Sequence, residues 1–146
     1  MMLNSLRPLM AKAWHTSAAF KRRLLALPKK VLKETNAAIE KNADEWVKTS
    51  RSMAPVDPKD GIHLRPSIRH HDSETGGQIV RAGGEKTRKS DKNGGEYDYA
   101  IAQEFGREGM PANPFFWPAY RLLKKKFGGR RTRAMNKAIK DFNDGK

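Results

Sequence analysis

The stretch FKRRLLALPKKVLKETNAAIEKNADEWVKTSRSM, residues 20–53, carries the strongest structural signal in the chain. Its apolar residues recur at steps of three, four, seven or eight, a spacing that places side chains on one face of a helix. They are Phe20, Leu24, Leu27, Val31, Ala38, Trp46 and Met53. Because proline is tolerated only in the first turn of a helix, Pro28 predicts either a kink or the opening of the main helix. The segment Met53-Ala54-Pro55 predicts its end.

Two short strands are predicted after this helix. A loop rich in turn-forming residues, 55–61, leads to a first strand over 62–70, in which Pro66 indicates an edge or a bulge. A second strand is predicted over 78–82, because pairs of glycines bound it on both sides.

The segment that follows divides into a loop and a third strand. Residues 83–96 contain four glycines, seven charged residues and hardly an apolar group, which predicts a mobile loop. A third strand is predicted from Tyr97 to Phe105. One face of a regular strand there would carry Tyr97, Tyr99, Ile101, Gln103 and Phe105.

The C-terminal part begins with three consecutive aromatic residues, Phe115-Phe116-Trp117, in a turn flanked by prolines. We expect one of them to lie in the core and another at an interface. A helix is predicted from Pro118 to Phe127, since proline suits a first turn. Gly128-Gly129 should break it, and a second helix is predicted over 132–142.

The order of helix, strands and helix predicts an α+β fold, with a long N-terminal helix packed on a small antiparallel sheet and a C-terminal helix. A chain of 146 residues fits one domain. We predict a basic N-terminal arm over 1–19, an α+β domain over 20–127 and a basic C-terminal helix or tail over 128–146.

Composition excludes several classes of protein. The chain has no cysteine, which rules out disulfides and thiolate metal sites. It has no run of about 18 apolar residues, the length that a membrane-spanning helix needs. Polar residues interrupt the segment from Met1 to Phe20, which argues against a secretory signal. We therefore expect no membrane partner.

The net charge of +14 is concentrated at the two ends of the chain. Residues 1–33 hold eight basic and no acidic residues, 34–120 hold twelve basic and fourteen acidic, and 121–146 hold ten basic and two acidic. Basic ends predict contact with a polyanion, either nucleic acid or an acidic protein surface. The candidate contacts are Lys124, Lys125, Lys126, Arg130, Arg131 and Arg133.

No pattern in the sequence predicts catalysis or a metal site. His63, His70 and His71 lie near several aspartates, but a strand would place His70 and His71 on opposite faces. The nucleophile elbow, the P-loop and the dinucleotide fingerprint are all missing. Glu104, one of two acids in the third predicted strand, could be a general acid or base, but a structural role is expected, in which it can pair with an arginine of a neighbouring subunit. We therefore predict a non-enzymatic protein without metal, cofactor or small-molecule substrate.

Three segments in order resemble a known family. They are Ala54-Pro55-Val56-Asp57 with Gly61 and Leu64–Ile68, then Tyr99–Gly106, then Pro114–Ala119. After a long amphipathic helix, this set resembles the tail-component family of long-tailed bacteriophages, whose members complete the tail or join it to the head. The resemblance covers about residues 30–127. The chain departs from the family pattern by a two-residue expansion between Asp57 and Gly61, and by Arg107 in place of a threonine.

The resemblance implies a structural virion protein at the head–tail junction, assembled in the host cytoplasm. Such subunits form closed rings, most often of six copies, around the path of the DNA. The implied partners are like subunits, the tail tube protein, head-connector proteins and, without sequence specificity, DNA in the lumen. The implied interface residues are Tyr99, Glu104, Phe105, Gly106, Phe115, Phe116 and Trp117.

A stand-alone basic protein that binds nucleic acid is the alternative. Dense basic runs such as Lys21-Arg22-Arg23 neutralise phosphates without reading sequence. No zinc-finger, homeodomain or RNA-recognition signature accompanies them. A ring must let a charged duplex pass, so we expect the basic ends to reach mainly acidic surfaces of neighbouring proteins. A small nuclease or toxin would need a catalytic cluster, which the sequence lacks.

Overall fold

A computed structural model describes residues 17–56 and 63–145. The predicted arm, apart from its last three residues, lies outside this part of the chain, as does most of the loop after the first helix. The helices are α1 (Ser17–Met53), α2 (Leu64–Ser67), α3 (Tyr99–Phe105) and α4 (Phe116–Asn143). The strands are β1 (Arg69–Asp72), β2 (Gln78–Arg81), β3 (Arg88–Ser90) and β4 (Glu96–Asp98). They form two antiparallel hairpins, β1–β2 and β3–β4.

The two long helices pack side by side in antiparallel orientation. The indole Nε1 of Trp46 donates to the carbonyl oxygen of Phe116 at 3.0 Å, near the start of α4. One turn earlier in α1, Asn42 Nδ2 donates to the carbonyl oxygen of Phe127 at 3.3 Å, further along α4. The Trp46 ring also lies 4.8 Å from the ring of Tyr120. Trp46, which belongs to the predicted apolar face of α1, therefore packs against α4.

A second face of α1 packs on the β1–β2 hairpin and completes the core. Val47 on this face belongs to a buried apolar cluster with side chains from α2, α3 and the start of α4. The other members are Ala54, Leu64, Ile68, Ala100 and Phe115. The predicted α+β fold, with a long helix on a small antiparallel sheet and a C-terminal helix, is confirmed.

Both long helices continue through residues that were predicted to interrupt them. α1 includes Pro28, which is exposed, so that water can reach the carbonyl group that the proline leaves without a donor. α4 includes Gly128-Gly129, and the predicted break there is wrong. Phe127 and Arg130, on either side of the glycines, hold α4 to Asn42 by hydrogen bonds. This packing outweighs the cost of two helical glycines, about 1 kcal/mol each.

The predicted strand over 97–105 is wrong, because the chain becomes helical after Asp98. The Asp98 side chain caps α3, with Oδ1 accepting from the backbone N–H of Ala100 at 2.8 Å. The same carboxylate accepts from Thr87 Oγ1 at 2.7 Å and from the backbone N–H of Gly84 at 3.0 Å. These bonds connect α3 to the segment before β3. A side chain at Gly83 could not be accommodated, since its Cβ would lie 2.5 Å from the Asp98 carboxylate.

The remaining strand predictions had mixed outcomes. The second predicted strand is confirmed as β2. The first is wrong in its first half, where α2 precedes β1. Residues 83–96 are more ordered than a plain loop, because they include a 3₁₀ turn (Glu85–Thr87) and β3.

None of the described helices combines the length and apolar character needed to cross a membrane.

Candidate functional site

A buried carboxylate joins two of the three segments that carry the family resemblance. Glu104 in α3 accepts from the backbone N–H groups of Phe115 and Phe116 at 2.8 and 2.9 Å, and from that of Trp117 at 3.0 Å. The next residue, Pro118, has no N–H, so every donor at the start of α4 is accounted for. An anion is also favoured at a helix N-terminus. Glu104 therefore has its hydrogen-bond donors within its own chain, where it joins α3 to the start of α4.

Gly106 makes the sharp turn between α3 and the return to α4. Its φ is 77°, and an added Cβ would lie 2.9 Å from the backbone nitrogen of Ala112. Further along the return, the backbone N–H of Asn113 donates to the carbonyl oxygen of Gln103 at 2.7 Å. The chain from α3 to α4 is therefore closely fixed in place.

An open groove of about 410 Å³ lies between the end of β2 and the α3–α4 junction. Three large apolar side chains on its lining are exposed: Ile101 (59%), Phe105 (67%) and Trp117 (43%). Ile101 and Phe105 are four residues apart in α3 and share a face. Arg69 and Arg81 of the β1–β2 hairpin add positive charge to the lining. We call this surface the apolar groove.

The predicted interface residues divide between the groove and the core. Phe105 and Trp117 are exposed on the groove, and Phe116 is half-buried there. Phe115 is fully buried in the core cluster, which confirms that one of the three aromatic residues is a core residue. Tyr99 does not line the groove; its hydroxyl accepts from Gln103 Nε2 at 2.6 Å.

Sequence reasoning missed the contribution of the β1–β2 hairpin to this surface. Val80 and Arg81 reach the groove only because the hairpin packs beside α3, and no local sequence pattern predicts that contact.

The capping role of Asp98 could have been predicted from the sequence, since aspartate is a favoured N-cap residue. The helix formers Ala100, Ala102 and Gln103 follow it.

The candidate basic contacts are only partly available to a partner. Lys126 and Arg130 both bind Glu45 of α1, and Arg130 Nη2 lies 2.7 Å from its carboxylate. Hydrogen bonds from these two side chains, Lys126 first, lower the pKa of the Glu45 carboxyl. The other four, Lys124, Lys125, Arg131 and Arg133, are exposed and have no ion-pair partner within the described residues.

His70 connects β1 to α1 through both of its ring nitrogens. Nε2 lies 2.9 Å from Asp44 Oδ1, and Nδ1 lies 2.8 Å from Gln78 Oε1. The hydrogen bond to Gln78, followed by that to Asp44, raises the pKa of His70. His71 is exposed, so the two histidines lie on opposite faces, as predicted. Among the described residues, no group of three His, Asp or Glu side chains could hold a metal ion.

Comparisons with protein-family models, with curated proteins and with solved structures found no match. The resemblance to the tail-component family therefore rests on the three sequence segments. Two of them, Tyr99–Gly106 and Pro114–Ala119, meet at Glu104 and contribute the apolar groove.

Proposed function

We propose that this chain is a non-enzymatic subunit of the neck of a long-tailed bacteriophage or phage-like particle. It forms a ring, of six copies by resemblance, that completes the tail or joins it to the head around the DNA path. One observation carries the proposal. Ile101, Phe105 and Trp117 are exposed together on the apolar groove of a chain that is 32% charged. Contiguous exposed apolar side chains mark interaction surfaces.

The groove suits contact between like subunits. Trp117 and Phe105 are large, and they start from a backbone that Glu104 and Gly106 hold in place, so little freedom is lost on binding. Aromatic side chains of this kind contribute much of the energy at protein interfaces. A contact between this groove and a different surface of the next copy closes into a ring when the rotation allows it.

Single substitutions in the native particle test this role. Trp117→Ala and Phe105→Ala should leave the melting temperature of the isolated subunit nearly unchanged but reduce the yield of heads joined to tails. Phe115→Ala should instead destabilise the subunit by about 3–5 kcal/mol, since it leaves a cavity in the core. Leu122→Ala is the matched control, because Leu122 is exposed on α4 and does not line the groove.

Location in the particle is a second, independent measurement. Gold-labelled antibody against the chain should bind at the head–tail junction, and cross-linking of intact particles should give multimers up to six copies. Normal joining with Trp117→Ala and Phe105→Ala, or a single isolated copy per particle, would contradict the proposal.

The nucleic-acid-binding alternative is favoured by one specific observation: Lys124, Lys125, Arg131 and Arg133 of α4 are exposed and have no ion-pair partner among the described residues. A protein that acts through these charges should bind duplex DNA with an affinity that falls steeply as salt rises. It should do so as an isolated subunit, and the groove substitutions should not affect the binding.

A further inference from the structure

The antiparallel pairing of α1 and α4 brings the basic residues of 17–33 and those of 128–143 to the same end of the two paired helices. Hydrogen bonds place Trp46 beside the start of α4 and Asn42 beside its middle, so the first half of α1 lies toward the C-terminal half of α4. We call residues 17–33 and 128–143 the basic stem. The stem carries eleven basic residues and one acidic residue, Asp141. Two regions that are far apart in sequence therefore form one strongly positive surface.

A mainly apolar stripe of α1 continues into this stem, where no other element of the described structure covers it. Ala43, Val47 and Ser50 are buried on the face toward the hairpin and the core. Steps of seven, four and seven residues back from Ala43 lead along the same face to Asn36, Leu32 and Leu25. Asn36 still lies beside the β1–β2 turn, but Leu32 is 59% exposed and Leu25 is 73% exposed. The stripe thus extends past the end of the hairpin that covers it.

Cations surround the uncovered part of the stripe. Lys21, Arg22 and Lys29 lie four before, three before and four after Leu25, and are therefore its neighbours on the helix surface. All three are exposed, and none has an ion-pair partner in the part of the chain that the structure describes. A second copy of this stripe would bring like charges together. The surface is therefore complementary to a partner that has both apolar and acidic side chains.

The shape of the stripe distinguishes between anionic partners. Duplex DNA neutralises cations but offers no apolar surface to Leu25 and Leu32. An anionic membrane suits a helix with a wide apolar face and large aromatic residues. Here the leucines are seven residues apart, with Lys29 between them on the same side, which makes a narrow seam. A seam with this spacing is the kind that one partner helix covers.

We infer that the basic stem binds an acidic amphipathic helix of another protein. Its apolar side chains pack on Leu25 and Leu32, and its carboxylates pair with Lys21, Arg22 and Lys29. The added helix converts a two-helix stem into a three-helix bundle and covers apolar surface that α4 leaves open. This surface shares no residue with the apolar groove, so the inference does not depend on the proposed function.

Synthetic peptides test the inference on the full chain. The probe is a peptide of about 21 residues, long enough to follow the stem. It carries leucine at the a and d positions of each heptad, and glutamate or alanine elsewhere. A peptide with the same composition in scrambled order is the control, and fluorescence anisotropy measures both affinities. A short DNA duplex and vesicles containing phosphatidylglycerol are measured in parallel.

The patterned peptide should bind at least about tenfold more tightly than the scrambled peptide, because only the patterned one presents a continuous apolar seam. Leu25→Ser combined with Leu32→Ser should weaken its binding by about tenfold or more. Leu122→Ser, an equally exposed leucine outside the stem, should have little effect. Far-UV circular dichroism and the melting temperature establish that each variant is folded.

Three outcomes would overturn the inference. Equal binding of patterned and scrambled peptides would show that charge alone is recognised. Duplex DNA that binds more tightly than either peptide, with no effect of the double leucine variant, would identify the stem as a phosphate-binding surface. Vesicle binding that the double variant abolishes, without peptide binding, would identify a membrane-binding surface.

Discussion

The carboxylate of Glu104 connects α3 to α4, and its removal should be costly. Glu104→Gln keeps the size of the side chain but replaces one acceptor oxygen by an amide that faces backbone N–H groups. Because the site is buried, the change should lower the free energy of unfolding by about 1–3 kcal/mol. Urea denaturation measures the difference. Glu108→Gln, at an exposed acid in the turn after α3, is the matched control. Equal stability of the two variants would mean that the carboxylate does not hold the start of α4.

His70 should make the stability of the subunit depend on pH. Both ring nitrogens face oxygen acceptors on Asp44 and Gln78, so only the doubly protonated imidazolium can donate to both. The pKa of His70 is raised, mainly by the hydrogen bond to Gln78. A raised pKa in the folded state stabilises the fold fully below the unfolded value of about 6.5, and this contribution is lost as pH rises through the folded value.

The test compares urea denaturation at pH 5.5 and pH 8, values that lie on either side of roughly 6.5. The wild type should lose more stability over this interval than His70→Gln, which removes the titrating group. His71→Gln, on the exposed face of the same strand, should keep the wild-type pH dependence. If both variants keep it, His70 does not bind α1 as an imidazolium in solution.

The continuity of α4 through Gly128-Gly129 predicts a stabilising substitution. A Cβ at Gly128 would meet no atom within 4 Å, so Gly128→Ala should stabilise the protein by about 1 kcal/mol through helix propensity alone. Gly129→Ala should gain less, since its Cβ would lie 3.1 Å from the guanidinium of Arg133. Thermal denaturation followed by circular dichroism measures both. A loss of stability with Gly128→Ala would indicate that the helix breaks at the glycines after all.

The segment 83–96 should show graded rather than uniform mobility. Its start is held by Thr87, which is buried and bonded to Asp98, and β3 pairs with β4. The turn at 92–95 is exposed on every residue. In amide hydrogen exchange we expect protection in β3 and β4 and fast exchange at 92–95. Uniformly fast exchange over 83–96 would favour the mobile loop that the sequence predicts.

The charged residues of the molecule fall into two groups, those that stabilise the folded subunit and those that are available to a partner during assembly. Lys126 belongs to an ion pair within the subunit, whereas Lys124 and Lys125 are exposed and have none with any described residue. Reversing Lys124 and Lys125 to glutamate should therefore leave subunit stability nearly unchanged, since exposed charges contribute little to it. If these lysines steer docking onto acidic neighbours, the change should slow particle assembly in a salt-dependent way.

The readout is the rate at which joined particles appear at low and high salt. Lys86→Glu with Lys92→Glu, which changes the charge equally near the β3–β4 hairpin, controls for net charge. Normal assembly combined with failure to retain or release DNA would instead identify the two lysines as DNA contacts, as the nucleic-acid-binding alternative predicts.

The amino-acid sequence alone predicted features that depend on neighbours a few residues apart. The apolar spacing over 20–53 identified the long helix, and glycine pairs on both sides identified β2. The burial of one residue of the aromatic triplet was also predicted correctly. These signals are local, because helical periodicity and turn formation act within one or two turns of chain.

Only the tertiary structure decided the features that join distant residues. α3 is a helix because Asp98 caps it while binding Thr87 and Gly84, and because Glu104 can then reach the start of α4. The apolar groove needs the β1–β2 hairpin beside α3, and the basic stem needs α4 antiparallel to α1. Local secondary-structure propensity is weak enough for such contacts to override it. A local sequence pattern also does not identify which distant residue will be the hydrogen-bond or packing partner.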